Sequence, residues 1–114
     1  MISEIEYAQG DIVVVPFPYT DRQTEKRRPA LVISNGKVSL DHGLVWLAMI
    51  TSAENYKWSG DVDVAGAATG LTSPSLIRSA KLATVDTSRI IRVAGKVSDE
   101  TWSEVFSALQ DNLK

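Results

Sequence analysis

Cysteine is absent from all 114 residues, which excludes a disulfide scaffold, a thiolate zinc site, an iron–sulfur cluster and a cysteine nucleophile. A chain without cysteine suits a reducing compartment, and a cytoplasmic location is expected. Histidine occurs once, as His42, so acid–base chemistry by two histidines of one subunit is impossible. His42 sits in Leu40-Asp41-His42-Gly43, which reads as a hairpin turn, and no motif has the spacing of a metal-ligand set. No apolar run approaches the roughly 18 residues needed to span a bilayer. The start, Met1-Ile2-Ser3-Glu4-Ile5-Glu6, is acidic and lacks the basic and apolar regions of a leader. A soluble, untargeted chain with no membrane partner, no metal and no cofactor is expected. Gly66 and Gly70 are followed by Leu71-Thr72 where a phosphate loop requires Lys-Ser/Thr, and no Gly-x-Ser-x-Gly elbow occurs.

What is present is ordinary globular composition, 44% hydrophobic and 23% charged, which argues against wholesale disorder. A chain of this length buries roughly two-thirds of its unfolded surface and forms one domain, expected to span 1–114. The formal charge of −2 argues against a general nucleic-acid coat and leaves room for a local basic site. Arg22-Gln23-Thr24-Glu25-Lys26-Arg27-Arg28 carries four cations and one anion, whereas the last turns, from Glu100 to Lys114, are net acidic.

Strand-like runs fill most of the chain. Asp11–Pro18 is rich in β-branched residues, and its two prolines lie two apart, so their missing N–H groups fall on one edge. The ladder on that edge must stop near Pro16. Pro29–Ser34 follows and ends at Asn35-Gly36, a strong turn signal. Leu44–Thr51 is uncharged over eight positions, so both its faces should be covered, by the core and a helix or by a second subunit. Gly60–Val64, Ser75–Val85 and Ile90–Val97 are further strand candidates. From Ser98 the period becomes helical, with Ser98 as N-cap and Trp102, Val105, Phe106, Leu109 and Leu113 expected to face the core. The fold class is mainly β with a C-terminal helix, in a small, strongly bent antiparallel barrel.

If the second and third runs pair about position 39, residues whose numbers sum to about 79 face one another. Arg28 then lies opposite Thr51, with Ser52, Lys26 and Arg27 in the neighbourhood. A guanidinium beside a hydroxyl suits phosphate chemistry: the planar fork stays charged and follows charge developing on phosphoryl oxygens, and the hydroxyl donates to a non-bridging oxygen. A surface arginine beside a threonine that satisfies strand-end backbone groups is the alternative. Asp21, in Tyr19-Thr20-Asp21-Arg22, can cap its loop by an Asx-turn or transfer a proton. Arg78 and Lys81 are cations on a later strand, placed to contact phosphates or simply solvated.

Three blocks, Gly10-Asp11-Ile12-Val13-Val14-Val15-Pro16-Phe17-Pro18-Tyr19-Thr20-Asp21, Lys26-Arg27-Arg28-Pro29-Ala30-Leu31-Val32-Ile33-Ser34 and Ile50-Thr51-Ser52, resemble the PemK/MazF family of toxins from bacterial toxin–antitoxin systems. The similarity continues through Ser75-Leu76-Ile77-Arg78 and Lys81-Leu82-Ala83-Thr84-Val85-Asp86 to the terminal helix. The resemblance implies an SH3-like barrel, a homodimer, and a metal-independent endoribonuclease that cuts single-stranded RNA at short sequences. It implies the substrate 2′-OH as nucleophile, with a 2′,3′-cyclic phosphate and a 5′-OH as products, and a cognate antitoxin whose C-terminal segment lies over the RNA groove. On it, Arg28 and Thr51 are the catalytic pair, Arg27, Ser52 and Arg78 help bind the backbone, and Asp21 or a substrate-bound water is the proton partner. Some members carry an acidic residue and an arginine where this chain has Ala80 and Ala83. Tyr19 and Tyr56 are candidate stacking platforms for unpaired bases. A non-catalytic toxin of the same fold that binds a protein such as gyrase, and an inactive antitoxin-binding module, stay open as alternatives.

Overall fold

The computed structural model describes residues 6–18 and 25–114, and its element order follows the hydrophobic runs. Strands β1 (Asp11–Pro18) and β2 (Glu25–Val32) lead into a short helix α1 (Gly36–His42), then β3 (Leu44–Ser52), β4 (Asp61–Val64), β5 (Ser75–Asp86), β6 (Arg92–Lys96) and the long helix α2 (Asp99–Leu113). The strands form one antiparallel sheet in the order β4-β5-β3-β2-β1-β6, curled into a half-barrel. The mainly β class with a terminal helix therefore holds.

Register follows the sequence arithmetic. Ala30 faces Met49, Leu31 faces Ala48 and Val32 faces Leu47, each pair summing to 79. The connection between those strands is not a simple turn, however. Asn35 is the N-cap of α1, its side chain accepting from the Lys37 N–H at 3.0 Å, and Gly43 ends the helix at φ +67°. The Asn-Gly signal marks a helix start here because the next residues close one short, capped helix in place of a hairpin loop. His42 is exposed in its last turn.

The prolines act as expected. β1 pairs with β2 from Ile12 to Pro18, but with β6 only from Asp11 to Val14. Beyond Val14 that second edge carries no ladder, as two missing donors require.

Alternation puts two cores on the two faces of the sheet. Ile12, Leu31, Ala48, Ile50 and Ile77 pack toward Val105 of α2, while Val13, Val15, Ala30, Val32, Val45 and Leu47 build the other core. Most of β3 is thus covered within the chain. The exceptions are Trp46, 48% exposed, and Ser52 at the strand end. The helix stripe also needs a correction: Val105 is sealed and Trp102 and Leu109 are half-buried, but Phe106 and Leu113 stay exposed. Those two sit on the helix flank rather than over the sheet, and with Trp46 and Leu82 they border an apolar groove of about 540 Å³. Ser98 caps α2, accepting from the Thr101 N–H at 3.1 Å. No helix among the described residues is long and apolar enough to cross a membrane.

The small-residue segment Ala65–Gly70 packs its backbone directly on β6. A Cβ on Gly95 would overlap the carbonyls of Ala68 and Thr69. Gly95→Ala should therefore lower unfolding stability by about 1–3 kcal/mol, read from denaturant titration, because backbone must shift to admit the methyl group.

Candidate active site

The cavity grows out of strand alternation. Phe17 continues the face of Val13 and Val15, Arg28 that of Ala30 and Val32, and Thr51 that of Val45 and Leu47. All three side chains therefore emerge where the second core ends, and they border one cavity of about 310 Å³. Arg28 and Thr51, paired on paper by the hairpin register, share that space. Arg27 and Ser52 carry the opposite parity and do not border it; Arg27 is exposed, and the Ser52 hydroxyl accepts from the Glu54 N–H at 3.1 Å to start the loop. Tyr19 and Asp21 lie outside the described residues.

The wall opposite comes from β5, through an irregularity. Ala48 pairs with Leu82 but Ile50 pairs with Ile77, so the stretch Arg78–Lys81 bulges opposite Met49 alone. In a regular strand residues three apart point to opposite faces. Here the bulge lets Arg78 and Lys81 line the same cavity. Its backbone is held by α2, whose Asn112 side chain donates to the Ser79 carbonyl at 3.2 Å, and the Ser79 hydroxyl donates to the Gly60 carbonyl at 2.9 Å. Ala80 and Ala83 do not border the cavity.

Arg78 is no solvated decoration. Its side chain is 8% exposed and donates to Asp61 at 2.8 Å and to the Tyr56 carbonyl at 3.0 Å, while Asp61 is 1% exposed. The guanidinium also lies 3.8 Å from the centre of the Trp58 ring. The same Asp61 oxygen accepts from the Trp58 N–H at 2.8 Å, which closes the loop between β3 and β4. Tyr56 is 85% exposed and its ring is not part of the cavity wall.

Three contributors escaped the sequence reading. Asn55 donates to the Thr51 hydroxyl oxygen at 2.6 Å, which leaves the hydroxyl proton available to another acceptor. Trp58 borders the cavity, and Asp61 organises both Trp58 and Arg78. The available signal was cross-strand: Asp61 faces Arg78 directly in the β4–β5 ladder.

Residues 8–113 match the family described as PemK-like, MazF-like toxin of type II toxin–antitoxin system. The chain belongs to this family. No curated protein matches it in sequence. Among solved structures, MazF from Deinococcus radiodurans superposes with a TM-score of 0.78 at 20% identity, over 96% of this chain and 98% of that one. A MazE–MazF structure from the same organism gives 0.77 at 23%, over 96% and 97%. An endoribonuclease in complex with its cognate antitoxin from Mycobacterial species gives 0.74 at 17%, over 95% and 93%. These likenesses establish that the PemK/MazF fold is shared end to end.

In this PemK/MazF-type chain the buried pair should matter for stability. Asp61→Ala leaves a guanidinium sealed without its carboxylate and should cost about 3–5 kcal/mol in chemical denaturation. Lys57→Ala, which breaks an ion pair whose side chains are both more than half exposed, should leave the midpoint nearly unchanged.

Proposed function

We propose that the protein is a sequence-specific, metal-independent endoribonuclease that cleaves single-stranded RNA through the substrate 2′-OH. The observation that carries this is the convergence of Arg28 and Thr51 on one cavity, with Lys81 as a further cation and Arg78, paired to Asp61, in its wall. Membership in the toxin family and the endoribonuclease among the structural neighbours support it.

In this reading the scissile phosphate lies in the cavity. The 2′-oxygen attacks phosphorus, the bond to the 5′-oxygen breaks, and a 2′,3′-cyclic phosphate and a 5′-OH result. Arg28 supplies a fork of donors that strengthens as charge gathers on the equatorial oxygens. Thr51, its oxygen already accepting from Asn55, turns its proton toward a non-bridging oxygen. Lys81 stands ready to neutralise or protonate the leaving 5′-oxygen. Asp21 and a substrate-bound water are the two candidates for taking the 2′-proton. A wall of cations, one hydroxyl and one amide is a poor donor set for a divalent ion, which needs several oxygen ligands.

The same cationic cavity suits the acidic, extended C-terminal segment of a cognate antitoxin, which would lie over the RNA groove and block it. A second copy of the chain covers the groove bordered by Trp46, Leu82, Phe106 and Leu113, a contiguous exposed apolar surface of the kind that marks interfaces. An RNA substrate places the activity in the cytoplasm.

Arg28→Ala should slow cleavage by about 10²–10³-fold or more, the scale for losing one preorganised donor to a developing oxyanion. Thermal unfolding should hardly change. End-mapping of a long single-stranded RNA in the presence of a chelator checks this, with discrete cuts bearing 5′-OH ends expected from the parent protein. A variant that cuts at full rate removes Arg28 from the mechanism. Phe106→Glu should convert the dimer to a monomer by light scattering; a parent protein that already runs as a monomer contradicts the dimer.

A further inference from the structure

The loop between β3 and β4 is built around a ring it does not bury. Trp58 is clamped at its backbone, donating its N–H to Asp61 at 2.8 Å while its carbonyl accepts from the Asp61 N–H at 3.1 Å. The Arg78 guanidinium covers one face of the indole, and Arg78 is itself fixed by Asp61 and the Tyr56 carbonyl. A ring held this firmly is ordinarily covered. Trp58 instead remains 43% exposed and borders the cavity that holds Arg28 and Thr51.

We propose that Trp58 is the stacking platform for an unpaired base of the RNA, next to the scissile phosphate, on the indole face that Arg78 leaves open. This rests on the ribonuclease reading. Three physical points favour it. Stacking on an aromatic face is the main non-ionic way in which proteins hold single-stranded nucleic acid. An indole fixed before binding loses little conformational freedom when a base arrives. The adjacent cation withdraws electron density from the ring and suits it to the electron-rich face of a base. Arg78 is then a positioning residue: its charge is matched by Asp61, and it acts on RNA through the ring. Tyr56, two residues earlier, is exposed and does not border the cavity, which leaves the role to Trp58.

The test combines kinetics with a spectroscopic readout on the full chain. Trp58→Leu keeps an apolar side chain over Arg78 but removes the aromatic face. It should raise KM for a long single-stranded RNA roughly ten- to hundredfold with little change in kcat, and Trp58→Phe should recover most of the loss. In protein carrying 5-fluorotryptophan, the Trp58 fluorine signal, assigned by its loss in Trp58→Phe, should shift on adding a short 2′-O-methyl RNA of randomised sequence, which cannot be cut. Unchanged KM in Trp58→Leu overturns the proposal, as does a stationary Trp58 signal while the RNA binds. A parent protein that neither cuts RNA nor binds the probe overturns the ribonuclease reading itself, and the platform with it.

Discussion

One carboxylate, almost sealed from solvent, organises the working end of this molecule. Asp61 accepts from the guanidinium of Arg78 and from the backbone N–H of Trp58 through the same oxygen, and so ties β4, β5 and the loop between β3 and β4 into one unit. Burying two opposite charges gains little net stability, since desolvation offsets their attraction. What the pair supplies is geometry: with either partner missing, the other is a stranded charge, so alternative loop arrangements are heavily penalised.

Around that pair the cavity is assembled from parts with unequal regularity. The wall formed by β1, β2 and β3 is plain strand alternation, in which Phe17, Arg28 and Thr51 continue a core face after its apolar residues run out. The facing wall depends on a bulge in β5 whose carbonyl and hydroxyl at Ser79 are satisfied by Asn112 and Gly60. The terminal helix thus reaches the site indirectly: its inner face packs the core through Val105, and its last turn steadies the strand that brings Arg78 and Lys81 forward. Its outer flank, with Phe106 and Leu113, stays exposed.

Much of this was legible in one dimension. The two prolines of β1 located the end of its pairing with β6, and the midpoint between two apolar runs set the β2–β3 register correctly even though the connection is a capped helix. The register survived because it depends only on which residues are opposite, and a short helix between the strands leaves that unchanged. Three expectations went further than local pattern could carry them. Phe106 and Leu113 share the helical period of the core residues but lie at the edge of the arc that meets the sheet. Arg27 and Ser52 neighbour the catalytic candidates in sequence, and period two sends them to the other side of the sheet. Arg78 looked like one more phosphate ligand, and its carboxylate partner is 17 residues away.

By itself, then, the order of residues determined the strand sequence, the β2–β3 pairing, the helix cap at Ser98 and the meeting of Arg28 with Thr51. Each of these follows from near-neighbour sterics or from the period of a single element. Only tertiary structure decided that β5 bulges, that Asp61 neutralises Arg78, that Asn55 orients Thr51 and that Trp58 stands at the cavity edge. Those outcomes depend on which distant groups can satisfy one another once water is excluded, a condition that no single segment can meet alone.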